Sequence, residues 1–590
     1  MMSVTRLFDL VDRYKQLYPH KKDSLAAKIN GSWQTVSSEE FTSSVENISY
    51  GLLALGMEKG DKFASLSNNR PEWNFLDLGA MRIGGIHVPI YTTLADEDLR
   101  FILKDAEVKF IFVSSKELFE KVSAAVKDVD GIKAIYSFDE VQGAKHWTEI
   151  KTLGSQNPNP SKVAEIAATI GAHDLATLLY TSGTTGIPKG VMLSHDNIIS
   201  QLIAAQYLAP VDVNSRALSF LPLNHVYERV LTYLYFYLGV SVYYAESIDK
   251  VADNLKEVQP EIFGCVPRLF EKVYDRIVNK GNELTGIKKK LFFWALDLGL
   301  KYETNGANGW VYEKKLAIAR KLIFSKWQEA LGGKVKAAVS GGAALQPRLA
   351  RVFWAAGIPI LEGYGLTETS PVVSVNTLEP GGLKFGTVGK LLDKVTVRIA
   401  EDGEILCKGP NLMLGYYKRP DLTAEVIDSE GWFHTGDIGI FEDGVYLKIT
   451  DRKKEIFKTS GGKYIIPQHI ENKLKESRFI EQVMVVGEGK NFAAALVVPS
   501  FPFLLEWCTR KGIQIPDSNA ELIKIPRIKD RIMKEVEIVN QTLGNYETIK
   551  KIELLPREWT VDAGELSPKL SLKRRVIMEN NKEAVERIYS

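Results

Sequence analysis

Cysteine is nearly absent from this chain. Its three copies in 590 residues, Cys265, Cys407 and Cys508, lie too far apart for a disulfide framework or a CxxC metal pair. That excludes a disulfide-stapled secreted module and fits a reducing cytosol. An excess of either charge is also missing: Lys plus Arg total 75 against 73 Asp plus Glu. A nucleic-acid binder needs a concentrated basic surplus, so no nucleic-acid partner is expected. Long apolar runs are lacking too. The longest uncharged one, Val230 to Ala245, falls short of the ~20 residues that a spanning helix requires and reads as buried core. The N-terminal stretch MMSVTRLFDLVDRYKQLYPHKK has no apolar centre of signal-peptide type. Neither internal repeats nor low-complexity tracts occur.

What remains is a large globular chain. With 45% apolar residues over 590 positions, it has material for two or more domains. Up to about residue 175, helical and strand patterns alternate. SSEEFTSSVENISYGLLALG reads as a capped amphipathic helix, DKFASLS, HVPIY and AEVKFIFVS as strands, and Trp73 to Met81 as a helix. Alternation of this kind predicts layered α/β structure with a largely parallel sheet. Ser194 suits an N-cap for the helix that follows it, and RALSFLPLNHVYERV is a buried strand running into a loop with His225. From about 386, short alternating strands joined by EDG predict a small β subdomain reaching about 450. The charged run DRKK marks the boundary, giving a large domain over 1–451 and a smaller α+β domain over 452–590.

Tyr180 to Gly190, YTSGTTGIPKG, follows the apolar run ATLLY and is built to hold phosphate. Gly183 and Gly186 leave backbone N–H groups bare, Thr181, Ser182, Thr184 and Thr185 supply hydroxyls, and Lys189 adds a positive charge. It is not a Walker A loop, whose lysine is preceded by glycine and followed by Ser or Thr. Two further strands, KAAVSGGAAL and IPILEGYGLTETSP, end in small and polar residues. At the carboxyl edge of an open α/β sheet such loops converge on a ligand crevice.

These motifs together resemble, in order and over nearly the whole chain, the adenylate-forming enzymes, which include acyl-CoA synthetases, luciferases and peptide-synthetase adenylation domains. FLPLNHVYER, VPRLFEKVY and GWFHTGDIG are similar to the long-chain fatty acyl-CoA synthetases in particular. The resemblance implies that a fatty acid is activated by ATP to acyl-AMP and passed to CoA, with Mg²⁺ as cofactor. Such a transfer needs positioning and charge neutralisation more than a covalent nucleophile. It assigns Tyr364 to adenine, Thr367 to the α-phosphate, Glu368 to Mg²⁺, and Gly341, Gly342 and Ala343 to the wall of the adenine and acyl pockets. Asp437 and Arg452 become ribose contacts, and His225 faces the acyl carboxylate. Lys454 becomes the hinge about which a mobile C-terminal domain turns. Gly461 then lets the pantetheine arm pass and Lys463 meets CoA phosphate, although a simple turn explains those glycines equally well.

One position departs from the pattern. GELSPKLSLKRR carries Ser571 where the family places the lysine that covers the α-phosphate, with Lys569 and Lys573 two residues to either side. Lys569, in the loop, is the better substitute, because Lys573 is expected inside the following helix and faces away. The departure leaves open a fatty acyl-AMP ligase, an aryl or medium-chain acid ligase, or a non-catalytic binder of acyl-adenylate or acyl-CoA. Finally, IKKKLFFWALDLGLKY and EKKLAIARKLIFSKW are apolar helices edged with Lys and Arg. Packing against the core or lying on an anionic membrane both suit them. Long-chain members of the family are often membrane-associated, so a cytoplasmic protein with peripheral contact at the inner face of the membrane is a further expectation.

Overall fold

The computed structural model describes residues 3–182, 187–561, 563–566 and 572–590. Two compact units divide the chain. Met1–Val397, Leu406–His434 and Glu442–Leu447 form one, and Arg398–Ile405, Thr435–Phe441 and Lys448–Ser590 form the other.

The first unit is built on two sheets, each with six parallel strands; antiparallel strands are added at one edge of the eight-stranded sheet and at both edges of the nine-stranded one. The elements that bear on the candidate site are β1 (Lys62–Leu66), α1 (Pro71–Met81), β2 (Ile86–Pro89), β3 (Leu175–Ser182), β4 (Pro188–Ser194), α2 (His195–Ala205), β5 (Arg216–Ser219), α3 (Val226–Leu238), β6 (Ile262–Cys265), α4 (Trp310–Ala319), β7 (Ala337–Ser340), β8 (Ile360–Gly365) and β9 (Gly415–Tyr416). The eight-stranded sheet contains β9-β4-β3-β2-β1 in that order, and the nine-stranded sheet contains β8-β7-β6-β5. The strands are buried apolar runs, as parallel strands covered on both faces must be.

The apolar stretch Val230 to Ala245 is divided between the end of α3 and the strand Ser241–Tyr244, both in the core. Gly239 makes the division. At φ +73° it ends α3 in the left-handed region, and a Cβ there would stand 2.5 Å from the Tyr18 ring. Among the described residues no helix is long and apolar enough to cross a membrane.

Residues 396–452 hold a four-stranded sheet, ordered Thr396–Ile399, Glu404–Lys408, β10 (Phe433–Glu442) and β11 (Tyr446–Arg452). β11 continues through Asp451, which is buried, so the charged run DRKK begins inside a strand. The remaining part of the second unit has its own apolar core around the three-stranded sheet β12 (Ile480–Val486), β13 (Ala494–Pro499) and β14 (Lys551–Leu554). Its last helices include α5 (Arg574–Asn580). Lys573 is the N-cap of α5 and exposed, not a residue within it, which corrects the expectation drawn from helical facing.

Candidate active site

The stretch read as a phosphate loop joins two antiparallel strands. β3 and β4 pair with Tyr180 opposite Gly190, Thr181 opposite Lys189 and Ser182 opposite Pro188. The ladder fixes the base of the loop on both sides and sets Lys189 directly across from Thr181. Gly183, Thr184, Thr185 and Gly186 lie outside the described residues, as does the side chain of Ser182. At the base, the Tyr180 hydroxyl donates to Asp105 Oδ2 at 2.5 Å; burial first, then Asp105, raises its pKa.

α2, which follows β4 directly, gathers the other segments. Ser194 caps it in a reciprocal capping box with Asn197. The Asn197 Nδ2 then donates to the carbonyls of Pro410 and Leu412 at 2.8 Å each, and Gln201 Oε1 accepts from the Val372 N–H at 2.9 Å. Asn411 Nδ2 donates to the Thr369 carbonyl at 3.1 Å. The turn Thr367–Thr369 and the segment leading to β9 are thereby tied to one helix.

β9 extends the sheet beyond β4, with Gly415 opposite Met192 and Tyr416 opposite Val191. Its Tyr416 links two motifs that lie far apart in sequence. The hydroxyl donates to Glu368 Oε1 at 2.9 Å, and the Lys189 ammonium sits 5.2 Å from the centre of the same ring. Burial and then the Glu368 carboxylate push the Tyr416 hydroxyl well above its ordinary range, so it remains a donor. Sequence reasoning missed Tyr416, because a two-residue strand whose partner lies some 225 positions earlier leaves no local periodicity.

β7 and β8 are neighbours, with Ser340 opposite Glu362. Gly341, Gly342 and Ala343 therefore leave one strand beside the strand that carries Tyr364, which is half-buried opposite Ser374, and leads into Thr367 and Glu368. His225 is the N-cap of α3. Its Nδ1 accepts from the Tyr227 N–H at 3.1 Å, which leaves the proton on Nε2 in the neutral ring. The Tyr227 hydroxyl donates to the Val339 carbonyl on β7 at 2.8 Å, docking the start of α3 beside Gly341.

Two buried carboxyls add to this region. Burial pushes Glu228 on α3 and Glu362 on β8 up to about 8, so both are largely protonated at neutral pH. Neither was singled out in the sequence, although the charged pair Glu228-Arg229 inside an apolar helix was a signal for it.

The second unit holds the remaining candidates. Arg452 Nε donates to the buried Asp437 at 2.9 Å, so the two expected ribose contacts pair with each other. Lys454 follows β11. Gly461 and Lys463 lie in the turn between the strands Phe457–Lys458 and Tyr464–Ile465, with Lys463 exposed. In that turn it is Gly462, at φ +74°, whose backbone demands glycine. Gly461 has ordinary φ, and a Cβ there would meet nothing nearer than Thr459 Oγ1 at 3.9 Å. Lys569 and Ser571 lie outside the described residues.

Two largely parallel α/β sheets, a glycine- and hydroxyl-rich segment between paired strands, and the Lys189–Tyr416–Glu368 contact fit an α/β enzyme of the adenylate-forming class. The AMP-binding enzyme family matches residues 15–417, and the AMP-binding enzyme C-terminal domain matches 454–590. The chain is 33% identical over 568 residues to the long-chain-fatty-acid–CoA ligase FadD15 of Mycobacterium tuberculosis, covering 95% of this chain and 93% of that protein. It is 31% identical over 627 residues to human long-chain-fatty-acid–CoA ligase 1, covering 100% and 87%. The chain belongs to the long-chain fatty acyl-CoA synthetases of the AMP-binding enzyme family. Among solved structures, the adenylation domain of a Mycobacterium chelonae carboxylate reductase shares the fold, with TM-score 0.74, 23% identity and coverage of 99% and 91%. The Mycobacterium tuberculosis fatty acyl CoA synthetase also shares it, with TM-score 0.61, 21% identity and coverage of 98% and 99%.

Proposed function

We propose that this chain activates a long-chain fatty acid in two steps. A carboxylate oxygen of the acid attacks the α-phosphorus of ATP, the bond to the β-phosphate breaks, and pyrophosphate leaves. The CoA sulfur then attacks the acyl carbon, AMP departs with the bonding electron pair, and the thiol proton passes to solvent. The first step removes the obstacle that a carboxylic acid has no usable leaving group.

The observation that carries this reading is the meeting of Lys189, Tyr416 and Glu368, because it joins the phosphate-loop strand to the Thr367–Thr369 turn. Lys189, Thr181 and Thr367 neutralise and orient phosphate oxygens, Tyr364 stacks on adenine, and Gly341 to Ala343 leave room beside it. His225 presents its Nε2–H to the acyl carboxylate. Glu368 is the residue that would hold Mg²⁺, which offsets phosphate charge when bound. Among the described residues no three His, Cys, Asp or Glu side chains cluster as a metal cage. A single carboxylate supplemented by phosphate oxygens and water is the usual Mg²⁺ arrangement, so the donor set fits. Residues 452–590 act as the mobile part, with Lys454 as hinge, Lys569 at the α-phosphate, and Gly461 and Lys463 at CoA, while Asp437 and Arg452 meet the ribose.

An anionic membrane surface is the proposed partner of α4 and the turn after it. Trp310, Val311, Ile318 and Leu322 are 73%, 59%, 53% and 53% exposed on the side away from buried Leu316, Ala319 and Phe324. Lys314, Lys315 and Lys321 lie exposed among them, with Glu313 the sole acidic residue from 310 to 322. Exposed apolar side chains ringed by lysine suit a lipid surface of negative charge.

The test is CoA-dependent AMP formation across a panel of acids from acetate to oleate. AMP release should require acid, ATP and CoA together and rise with chain length. Absence of acid-dependent AMP formation, or preference for short or aromatic acids, overturns the reading.

A further inference from the structure

α3 carries a wholly buried charge. Arg229 is wholly buried, and its guanidinium is used on every side: Nε donates to the Tyr233 hydroxyl at 2.8 Å, Nη1 to Thr177 Oγ1 at 2.8 Å, and Nη2 to Asp77 Oδ1 at 2.6 Å. Asp77, on α1, also accepts from the Tyr233 hydroxyl and sits 2.7 Å from His87 Nδ1 on β2. The other ring nitrogen of His87 meets Ser65 Oγ on β1 at 2.7 Å, and the Trp73 indole donates to that same hydroxyl at 3.0 Å. Thr177 Oγ1 in turn donates to the His87 carbonyl at 2.7 Å. Burial, only partly opposed by Asp77, brings His87 down to about 4, so the ring is neutral and Arg229 with Asp77 is the one ion pair of the group.

Such a buried pair is weak evidence for stability, since its desolvation cost rivals its attraction. Its geometry has a direction, however. Thr177 stands on β3, four residues before Thr181 at the base of the phosphate loop, and Arg229 stands on α3, four residues after His225. On its other side the same helix turn is fixed to the nine-stranded sheet by the Tyr227 hydroxyl on Val339. The end of α3 that bears His225 is therefore held against both sheets: Asn224 Nδ2, just before it, donates to the Ile90 carbonyl after β2, and the hydrogen bond to the phosphate-loop strand β3 itself comes from the Arg229 guanidinium on Thr177.

We infer that Arg229, with Asp77, is a positioning residue that sets the His225 end of α3 in register with the phosphate-loop strand, so that the acyl carboxylate meets the nucleotide phosphates. The inference rests on the reading of His225 as the acyl contact. Misplacement of reacting groups by about 1 Å costs ~10²-fold in rate, which sets the expected effect.

The experiment uses the full-length enzyme with oleate and ATP, measuring acid-dependent ATP–pyrophosphate exchange beside thermal unfolding. The double variant Asp77→Asn, Arg229→Met removes both charges and leaves no buried ion unpaired. Arg229→Lys keeps the charge but not the three-way fork. Each should lower kcat/KM for oleate ~10²-fold while leaving KM for ATP unchanged. If the double variant does not fold, Arg229→Lys decides alone. A folded variant with wild-type kcat/KM for oleate overturns the inference, and so does a comparable rise in KM for ATP, which marks a merely structural role. His225→Ala separates the premises. If it is silent, the acyl-contact reading falls and this inference with it; if it is impaired beside a wild-type double variant, this inference alone falls.

Discussion

The Tyr416 hydroxyl donates to the Glu368 carboxylate at 2.9 Å while the Tyr416 ring faces the Lys189 ammonium at 5.2 Å. One aromatic side chain thus stands between the cation assigned to phosphate and the carboxylate assigned to Mg²⁺. Lys189→Ala and Glu368→Gln should each lower turnover ~10²–10³-fold, the usual cost of removing a charge-stabilising contact. Tyr416→Phe keeps the ring under Lys189 and loses only the hydrogen bond, so a loss of about tenfold is expected. Steady-state kinetics beside a thermal melt checks all three, and near-normal turnover in the first two would remove the site assignment.

Gly461 has room for a side chain and no need of glycine for its backbone. Gly461→Leu should therefore fold normally. It should keep acid-dependent ATP–pyrophosphate exchange yet block thioester formation, if its bareness serves the pantetheine arm. Unchanged thioester synthesis would show that the position is ordinary surface.

The displaced lysine is tested by separating the half-reactions. Lys569→Ala should lower acyl-adenylate formation by about two orders of magnitude or more, while supplied acyl-AMP and CoA still give thioester. Lys573→Ala should do much less, because Lys573 is fixed as the N-cap of α5 and its N–H donates to the Glu565 carbonyl at 2.8 Å. A double variant that adenylates at the wild-type rate would leave neither lysine with the role.

Stability should fall on the alkaline side. Glu228 and Glu362 have folded pKa values of about 8 against 4.5 for a free side chain, so the folded state binds the extra protons. Their contribution is fully present below about pH 4.5 and is lost as pH rises through about 8. Gln cannot ionise. Glu228→Gln and Glu362→Gln should raise Tm relative to wild type more at pH 9 than at pH 5, by roughly a few degrees. Parallel pH profiles for variant and wild type would contradict the buried-acid assignment.

Because the α4 stripe is exposed, Trp310→Ala with Ile318→Ser should leave Tm and kcat on solubilised oleate unchanged. Co-sedimentation with phosphatidylglycerol vesicles should weaken about tenfold or more, since each buried large side chain is worth roughly 1.5–3 kcal/mol. Phosphatidylcholine vesicles should bind poorly in either case. Equal binding by variant and wild type would assign the stripe no lipid role.

Much of the fold was legible because local signals agreed with the final structure. The capping serine Ser194, the alternation before residue 175 and the strand end at Ser340 are each written in a few consecutive residues, whereas the next strand runs on through Tyr364 to Gly365, past the end expected before the tyrosine. Their order also carried the family resemblance. What was not legible depends on pairing across long separations. A glycine-dense loop reads alike whether a helix or a returning strand follows, so the β3–β4 hairpin was hidden. Arg229 and Asp77 are 152 residues apart, so although each stands among apolar neighbours, nothing local pairs them. The start of α5 was misplaced by one residue or more, since helix ends are the least specified feature of a sequence.

β4 has a further consequence, for synthesis. It is made early, yet the strand that covers its outer edge is β9, which ends at Tyr416. At ~5–20 residues per second, a ribosome leaves that edge bare for roughly 10–45 s. Unpaired edges template mispairing between chains. The nascent protein thus carries an open, lysine-bearing strand while residues 195–416 are made, more than a third of the chain, and completion of that edge is timed by the emergence of a dipeptide.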